Sequence, residues 1–234
     1  MEDFKDKETA QRWDADPIAR NPARPEQLDI LLSILDGEYQ EGKAILDIGM
    51  GSGIVEELIL RRIANAYVVG VDASQVMLEI AHRRLREYGG RYEMVVHDFM
   101  QIDTLRLPER EYRVAISVQA IHNVADRYKL PIFRFVHQTL EPGGIFLLLD
   151  RIAVDTPGLF SAYRSVWQRL NRVHSASIRE GDTFEEHTRK VAARGDLPAS
   201  LEQHLIWLRE AGFEAACLHL HANRALFCAR KPYA

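Results

Sequence analysis

Cysteine is scarce in this chain. Cys217 and Cys228 are the only two in 234 residues, close together near the C-terminus and without metal-ligand spacing. A disulfide scaffold is excluded, and a buried, reduced pair in a cytoplasmic protein is the expectation. Long hydrophobic runs are also missing, since no apolar stretch approaches the roughly 18 residues of a membrane span. The opening residues, MEDFKDKETAQRWDADP, are polar and acidic and do not form a signal peptide. Excess positive charge is absent too. The formal charge of −4 gives no reason to expect nucleic acid or an acidic membrane as partner. His174, His187, His204, His219 and His221 lack metal-ligand spacing, so no metal is expected and exposure is the default for them. Repeats and low-complexity segments are lacking as well.

What remains is an ordinary globular composition, 47% hydrophobic and 27% charged. From Lys43 onward, short apolar runs alternate with helical patterns. KAILDIG, AYVVGVD, YEMVVHDF, YRVAISVQA and IFLLLDRIAV read as strands. Between the second and third, Met77, Ala81, Leu85 and Tyr88 recur at helical spacing, with Ser74 as cap and Gly89 as the left-handed stop. Strands that are apolar throughout and separated by helices indicate a parallel sheet covered on both faces. The end of the chain differs, because FEAACLHLH and RALFCARK have only Ala222 and Asn223 between them. So short a connection demands an antiparallel hairpin. The fold class is therefore α/β: a doubly wound, Rossmann-like seven-stranded sheet, mostly parallel, with an antiparallel C-terminal strand. A long helical stretch after Val154 exceeds what one crossover needs and predicts a lid-like insertion at about 155–195. Residues 1–40 are expected to form helices over the ligand site, and residues 41–234 the main domain.

In an open α/β sheet, ligands bind beyond the carboxyl ends of the strands, near the topological switch point. The first strand-to-helix turn here is ILDIGMGSGIVEELIL, where Gly49, Gly51 and Gly53 permit unusual backbone angles and close approach. Asp47 lies just before the turn, and Asp72 ends the second strand, where a carboxylate can accept from a ribose diol. A dinucleotide would need the spacing G-x-G-x-x-G, but Ile54 stands where its third glycine belongs. Asp47 would repel a pyrophosphate and suit an ammonium group. The turn favours a zwitterionic, nucleoside-bearing ligand without phosphate.

In the order LDIGMGSG, GVDAS, HDF and LEPGG, these motifs resemble the class I S-adenosylmethionine-dependent methyltransferases, from about residue 40 to the C-terminus. The resemblance implies S-adenosyl-L-methionine as cofactor. It implies that Gly49, Met50 and Gly51 pass under the methionine part, with Asp47 near its ammonium and Asp72, beside Ala73 and Met77, holding the ribose. Asp98 would accept from the adenine amino group, with Phe99 or Met100 beside the ring, and Gln119 would border the methionine end.

Methyl transfer from a sulfonium is mainly proximity catalysis, and a base is needed only when the acceptor atom carries a proton. His122, in VQAIHNV, is the base candidate, against a pocket-lining role. Tyr163 and Trp167, four apart on a lid helix, could wall a small-molecule substrate, and Trp13, Arg20 and Arg24 could close over the cofactor. The C-terminal stretch LPASLEQHLIWLREAGFEAACLHLHANRALFCARK is also similar to carboxy-S-adenosylmethionine synthases, which use prephenate to make a cofactor for wobble-uridine modification of tRNA. Counting back without gaps puts that family's carboxylate-binding arginine on Arg189. The expectation is a cytoplasmic enzyme that methylates a small molecule at O, N or C. The alternatives are such a synthase or a cofactor-binding protein without transfer activity. A homodimer is allowed.

Overall fold

The computed structural model describes residues 6–15, 21, 23–175 and 180–233, without the side chains of residues 12, 13 and 15. Trp13's side chain and Arg20 lie outside the described residues. In chain order the elements are α1 (Lys7–Ala15), α2 (Arg24–Glu38), β1 (Ala44–Ile48), α3 (Ile54–Arg62), β2 (Tyr67–Asp72), α4 (Gln75–Arg84), β3 (Tyr92–Val96) and β4 (Tyr112–Val118). They continue with α5 (Asp126–Thr139), β5 (Leu140–Arg151), α6 (Phe160–His174), α7 (Phe184–Arg194), α8 (Leu201–Glu210), β6 (Glu214–His221) and β7 (Arg224–Arg230).

The strands form one seven-stranded sheet in the order β3-β2-β1-β4-β5-β7-β6. β1 to β5 pair in parallel, while β7 runs antiparallel to both β5 and β6. The chain reverses direction across the sheet between β1 and β4, so the switch point is at the end of β1, where the glycine turn begins. Adjacent residues of each strand serve opposite faces. In β1, Leu46 and Ile48 join Phe133, Phe146 and Phe227 on one face. Ile45 joins Leu31, Leu35 and Ile59 on the other. Phe146 has no exposed surface, and burying such a side chain contributes about 1.5–3 kcal/mol.

α2 is a core helix, since Leu28, Leu31, Leu32 and Leu35 pack against the sheet. α1 lies instead on α4, with Ala10 against Met77 and Ile80. The insertion after β5 contains α6 and α7 and has its own small core of Val154, Phe160, Trp167 and Leu170.

Three local expectations need correction. Ser74 does cap α4, accepting from the Met77 N–H at 3.2 Å, but the left-handed residue after the helix is Gly90 at φ +82°, not Gly89 at −49°. A 3₁₀ turn over Arg86–Tyr88 lengthens the exit and moves the stop by one residue. His187 and His204 are buried, at 4% and 0% exposure, because aromatic neighbours enclose their rings. His187 sits 5.1 Å from the Trp167 ring, and His204 stacks on Phe227 at 5.1 Å. Cys217 and Cys228 are free, as expected, but only half-buried.

Candidate active site

The glycine turn is fastened to the neighbouring strand by main-chain bonds. Gly49 and Met50 both donate to the Val71 carbonyl, at 2.8 and 3.2 Å. Asp72 holds the turn from β2, accepting from the Gly51 N–H at 2.9 Å and the Ser74 N–H at 2.8 Å. Burial pushes its carboxyl up, and main-chain donors from Ser74, Gly51 and Ala73 oppose that rise. A carboxylate accepts at about four lone-pair sites, so these bonds leave Asp72 able to accept from a diol.

Gly49 has a φ of +94°, and a Cβ there would fall 2.2 Å from the Cβ of Ala120. The closeness that glycine permits here is to protein as much as to any ligand. Met50's side chain points away from the turn into the core, so close beneath Gly70 that a Cβ on that glycine would meet its sulfur at 2.2 Å. Only its main chain remains available to a ligand. Met77 is buried under Gly51.

Asp47 is 1% exposed and Glu56, in the first turn of α3, has no exposed surface. Among the described residues, Asp47 Oδ1 and both Glu56 carboxyl oxygens lack a hydrogen-bond donor. Burial, foremost, pushes both carboxyls up; the facing Glu56 charge raises Asp47 further, whereas Asp47 and Arg84 partly offset the rise at Glu56. Two carboxyls this close share a proton, because both cannot stay ionised in a dry site. Glu56 was not singled out from the sequence, where a glutamate early in a helix reads as favourable to the helix dipole.

Asp98 Oδ1 accepts from the Met100 N–H at 2.9 Å and caps the 3₁₀ segment Phe99–Thr104. Phe99 is buried, with its ring edge 3.7 Å from where a Gly49 Cβ would be. Gln119 has a left-handed backbone, φ +57°, a strain of about 1 kcal/mol or more for a residue other than glycine. Its side-chain amide nitrogen is buried without an acceptor. Asp47, Phe99 and Gln119 thus gather around the turn, with unanswered polar atoms on the acid and the amide. An orphaned carboxylate oxygen suits an ammonium and an orphaned amide suits a carboxylate, so these residues fit a zwitterionic amino-acid tail.

Beyond β4, His122 is held by an acid that the sequence reading did not single out. Its main-chain N–H donates to Asp150 Oδ2 at 2.7 Å, and its Nδ1 lies 2.5 Å from Asp150 Oδ1. Asp150 is completely buried near the end of β5; burial would raise its carboxyl, but the His122 imidazole outweighs that and holds it below the ordinary range. With Nδ1–H given to Asp150, Nε2 carries the free lone pair. Asp196, in the link between α7 and α8, lies 4.0 Å from that Nε2 and pairs with Arg151 through its other oxygen. A charge ending the apolar run IFLLLD was the available signal for Asp150.

The insertion residues fall differently. Trp167 is 3% exposed and packs among Phe160, Leu170 and His187, so its ring serves the insertion's own core. Tyr163 is half-buried beside it, with ring centroids 6.2 Å apart. Arg189 is exposed on α7. Arg24 is buried at the start of α2.

Residues 45–144 match a family model described as a methyltransferase domain. The carboxy-S-adenosyl-L-methionine synthase of Nautilia profundicola is 20% identical over 211 residues, covering 89% of this chain and 86% of that protein. A ubiquinone biosynthesis O-methyltransferase of Pseudomonas aeruginosa is 32% identical over 110 residues, covering 45% of this chain and 44% of that protein. Among solved structures, phosphoethanolamine N-methyltransferase 2 of Haemonchus contortus with bound S-adenosyl-L-methionine superposes with a TM-score of 0.65 at 18% identity. It is matched over 88% of this chain and 52% of its own length, and the chain spans about half the length of such solved proteins. The methyltransferase-domain match over residues 45–144, the sheet order with its antiparallel final strand and the glycine turn with its acids at 47 and 72 together support a class I S-adenosylmethionine-dependent methyltransferase fold.

Proposed function

We propose that the protein transfers a methyl group from S-adenosylmethionine to a protonated oxygen or nitrogen of a small molecule, with His122 as general base. The observation that carries this reading is the buried Asp150–His122 pair at 2.5 Å, which leaves Nε2 as the basic atom at the carboxyl end of the sheet. Asp72 would hold the ribose, Asp98 the adenine amino group, and Asp47 and Gln119 the amino-acid tail. When bound, the cofactor supplies a methyl group already activated on a sulfonium. His122 removes the acceptor's proton at Nε2, and Asp150 fixes the tautomer and steadies the imidazolium that forms. Asp196 adds negative charge on the Nε2 side. The insertion over residues 155–195 excludes water, and α1 closes the cofactor side.

Replacing His122 with Ala tests this reading: the expected outcome is unchanged S-adenosylhomocysteine affinity with methyl transfer lowered about 100-fold or more. Unchanged turnover would remove His122 as the base. A second reading, a synthase of carboxy-S-adenosylmethionine, is favoured by the 89% of this chain that aligns with such a protein. The exposed position of Arg189 speaks against the carboxylate contact expected of it. Mass spectrometry of cofactor retained on purification separates the two, through a carboxylated cofactor on one side and S-adenosylhomocysteine on the other.

A further inference from the structure

Lys129 stands in the first turn of α5 without any exposed surface, although lysine is among the residues least often enclosed. A cation so near a helix N-terminus also opposes the helix dipole. Packing and helix formation would both be served better by another residue, so the ammonium is kept for what it holds. It donates to Asp126 Oδ1 at 2.9 Å and to the main-chain carbonyl of Leu197, and it lies 5.7 Å from the centre of the Trp207 ring. Asp126 is 62% exposed, and its position three residues earlier on the same helix ties nothing distant together. The bond to Leu197 spans 68 positions.

Leu197 belongs to the link between α7 and α8, where the chain forms neither helix nor strand. Its side chain is 47% exposed, so packing does little to fix this link and hydrogen bonds hold it instead. The Leu197 N–H donates to the His122 carbonyl at 2.6 Å, and the Leu197 carbonyl accepts from the Lys129 ammonium. One residue is thus gripped on both sides, by the main chain of the histidine and by the lysine. The residue before it is Asp196, with Oδ1 4.0 Å from His122 Nε2 and Oδ2 on Arg151. The Ala199 carbonyl closes the link by accepting from the Ala153 N–H at 2.8 Å.

We propose that Lys129 is a positioning residue for His122: by gripping the Leu197 carbonyl it keeps the Asp196 carboxylate beside Nε2. The proposal rests on the reading of His122 as the base, because Nε2 is the atom that takes the acceptor's proton. Arg151 and Lys129 share the task, one holding the Asp196 side chain and the other the main chain that follows it. Without the ammonium the Leu197 carbonyl loses a charge-assisted donor, the stronger kind of hydrogen bond, and the link is free to carry Asp196 away from the ring. Asp150 still holds the imidazole through Nδ1, so the change falls on the Nε2 side.

The test is NMR of the full-length protein, labelled with nitrogen-15 in its histidines and saturated with S-adenosylhomocysteine, with His122→Gln identifying the His122 signals. Asp196→Asn is expected to displace the Nε2 resonance, and Lys129→Met to displace it the same way by at least about half as much. The double variant should move it no further than Asp196→Asn alone, because both changes remove one contact. A lysine that only supports the fold would lower Tm and leave the resonance at its parental place. That result overturns the proposal, as do additive displacements or an Asp196→Asn signal equal to the parent's. If Lys129→Met does not fold, Lys129→Gln decides, since its amide ends one bond short of the Leu197 carbonyl. A displaced signal then supports the proposal and a parental one overturns it. Wild-type turnover in His122→Ala would remove the base and leave this measurement of position standing, so the two readings fail separately.

Discussion

Replacing Glu56 with Gln should make the protein more stable, and more so in alkaline than in acidic solution. Asp47 and Glu56 form a buried carboxyl pair in which Asp47 Oδ1 and both Glu56 oxygens lack donors. Both titrate higher in the folded chain than their ordinary values of 3.8 and 4.5. The folded state therefore holds more protons than the unfolded state between those values and the raised ones. Stability from this source is complete below the ordinary values and is lost as the pH climbs through the raised ones. A glutamine amide supplies permanently the hydrogen that the pair must otherwise take from solution. Leaving a buried acceptor unanswered costs about 1–3 kcal/mol, so a gain of about 2 kcal/mol is expected at pH 8. For a chain of this size that is a rise in Tm of about 4–8 °C, shrinking toward zero at about pH 3, below the ordinary values of both acids. Because Glu56→Gln leaves one negative charge, as the proton-sharing pair does, S-adenosylhomocysteine affinity should stay within about threefold. Differential scanning calorimetry at both pH values is the assay. A variant less stable than the parent at pH 8, or a gain equal at both pH values, would refute the shared-proton account.

Asp150→Asn should disturb the His122 tautomer, lowering methyl transfer about 100-fold while calorimetric cofactor affinity is kept; wild-type turnover would show that the acid is dispensable. Asp72→Ala removes the acceptor for a ribose diol and should weaken S-adenosylhomocysteine binding at least tenfold by titration. Gly49→Ala should lose about 3 kcal/mol or more in denaturant unfolding, since its methyl group would lie 2.2 Å from the Cβ of Ala120 at a φ of +94°. Trp167→Ala empties the small core of the insertion at a local cost of about 3–5 kcal/mol. Hydrogen exchange should rise across α6 and α7 while β4 and β5 keep their protection.

The sheet was legible because its strands are apolar throughout and a two-residue link admits only a hairpin. The same logic gave the switch point and the positions of the glycine turn, Asp47, Asp72 and His122 at or near strand ends, each marked by a change from apolar to polar. What escaped notice were partners that distance in sequence conceals. Asp150 meets His122 across 28 positions, and Arg224 meets Arg151 only through the register of β5 and β7. Glu56 is not legible from the sequence because helix periodicity alone does not say that a short helix packs its first turn against the end of β1. Trp167 shows the converse: aromatic residues spaced for one helix face suit a ligand wall or packing of the insertion alike, and Trp167 lies in the insertion's own small core.

The contact between Gly49 and Ala120 has a mechanical consequence. Ala120 stands two positions before His122, so the glycine turn and the loop that carries the imidazole abut with no slack between them. Neither can shift without pushing the other, so the glycine turn and His122 keep a fixed spacing.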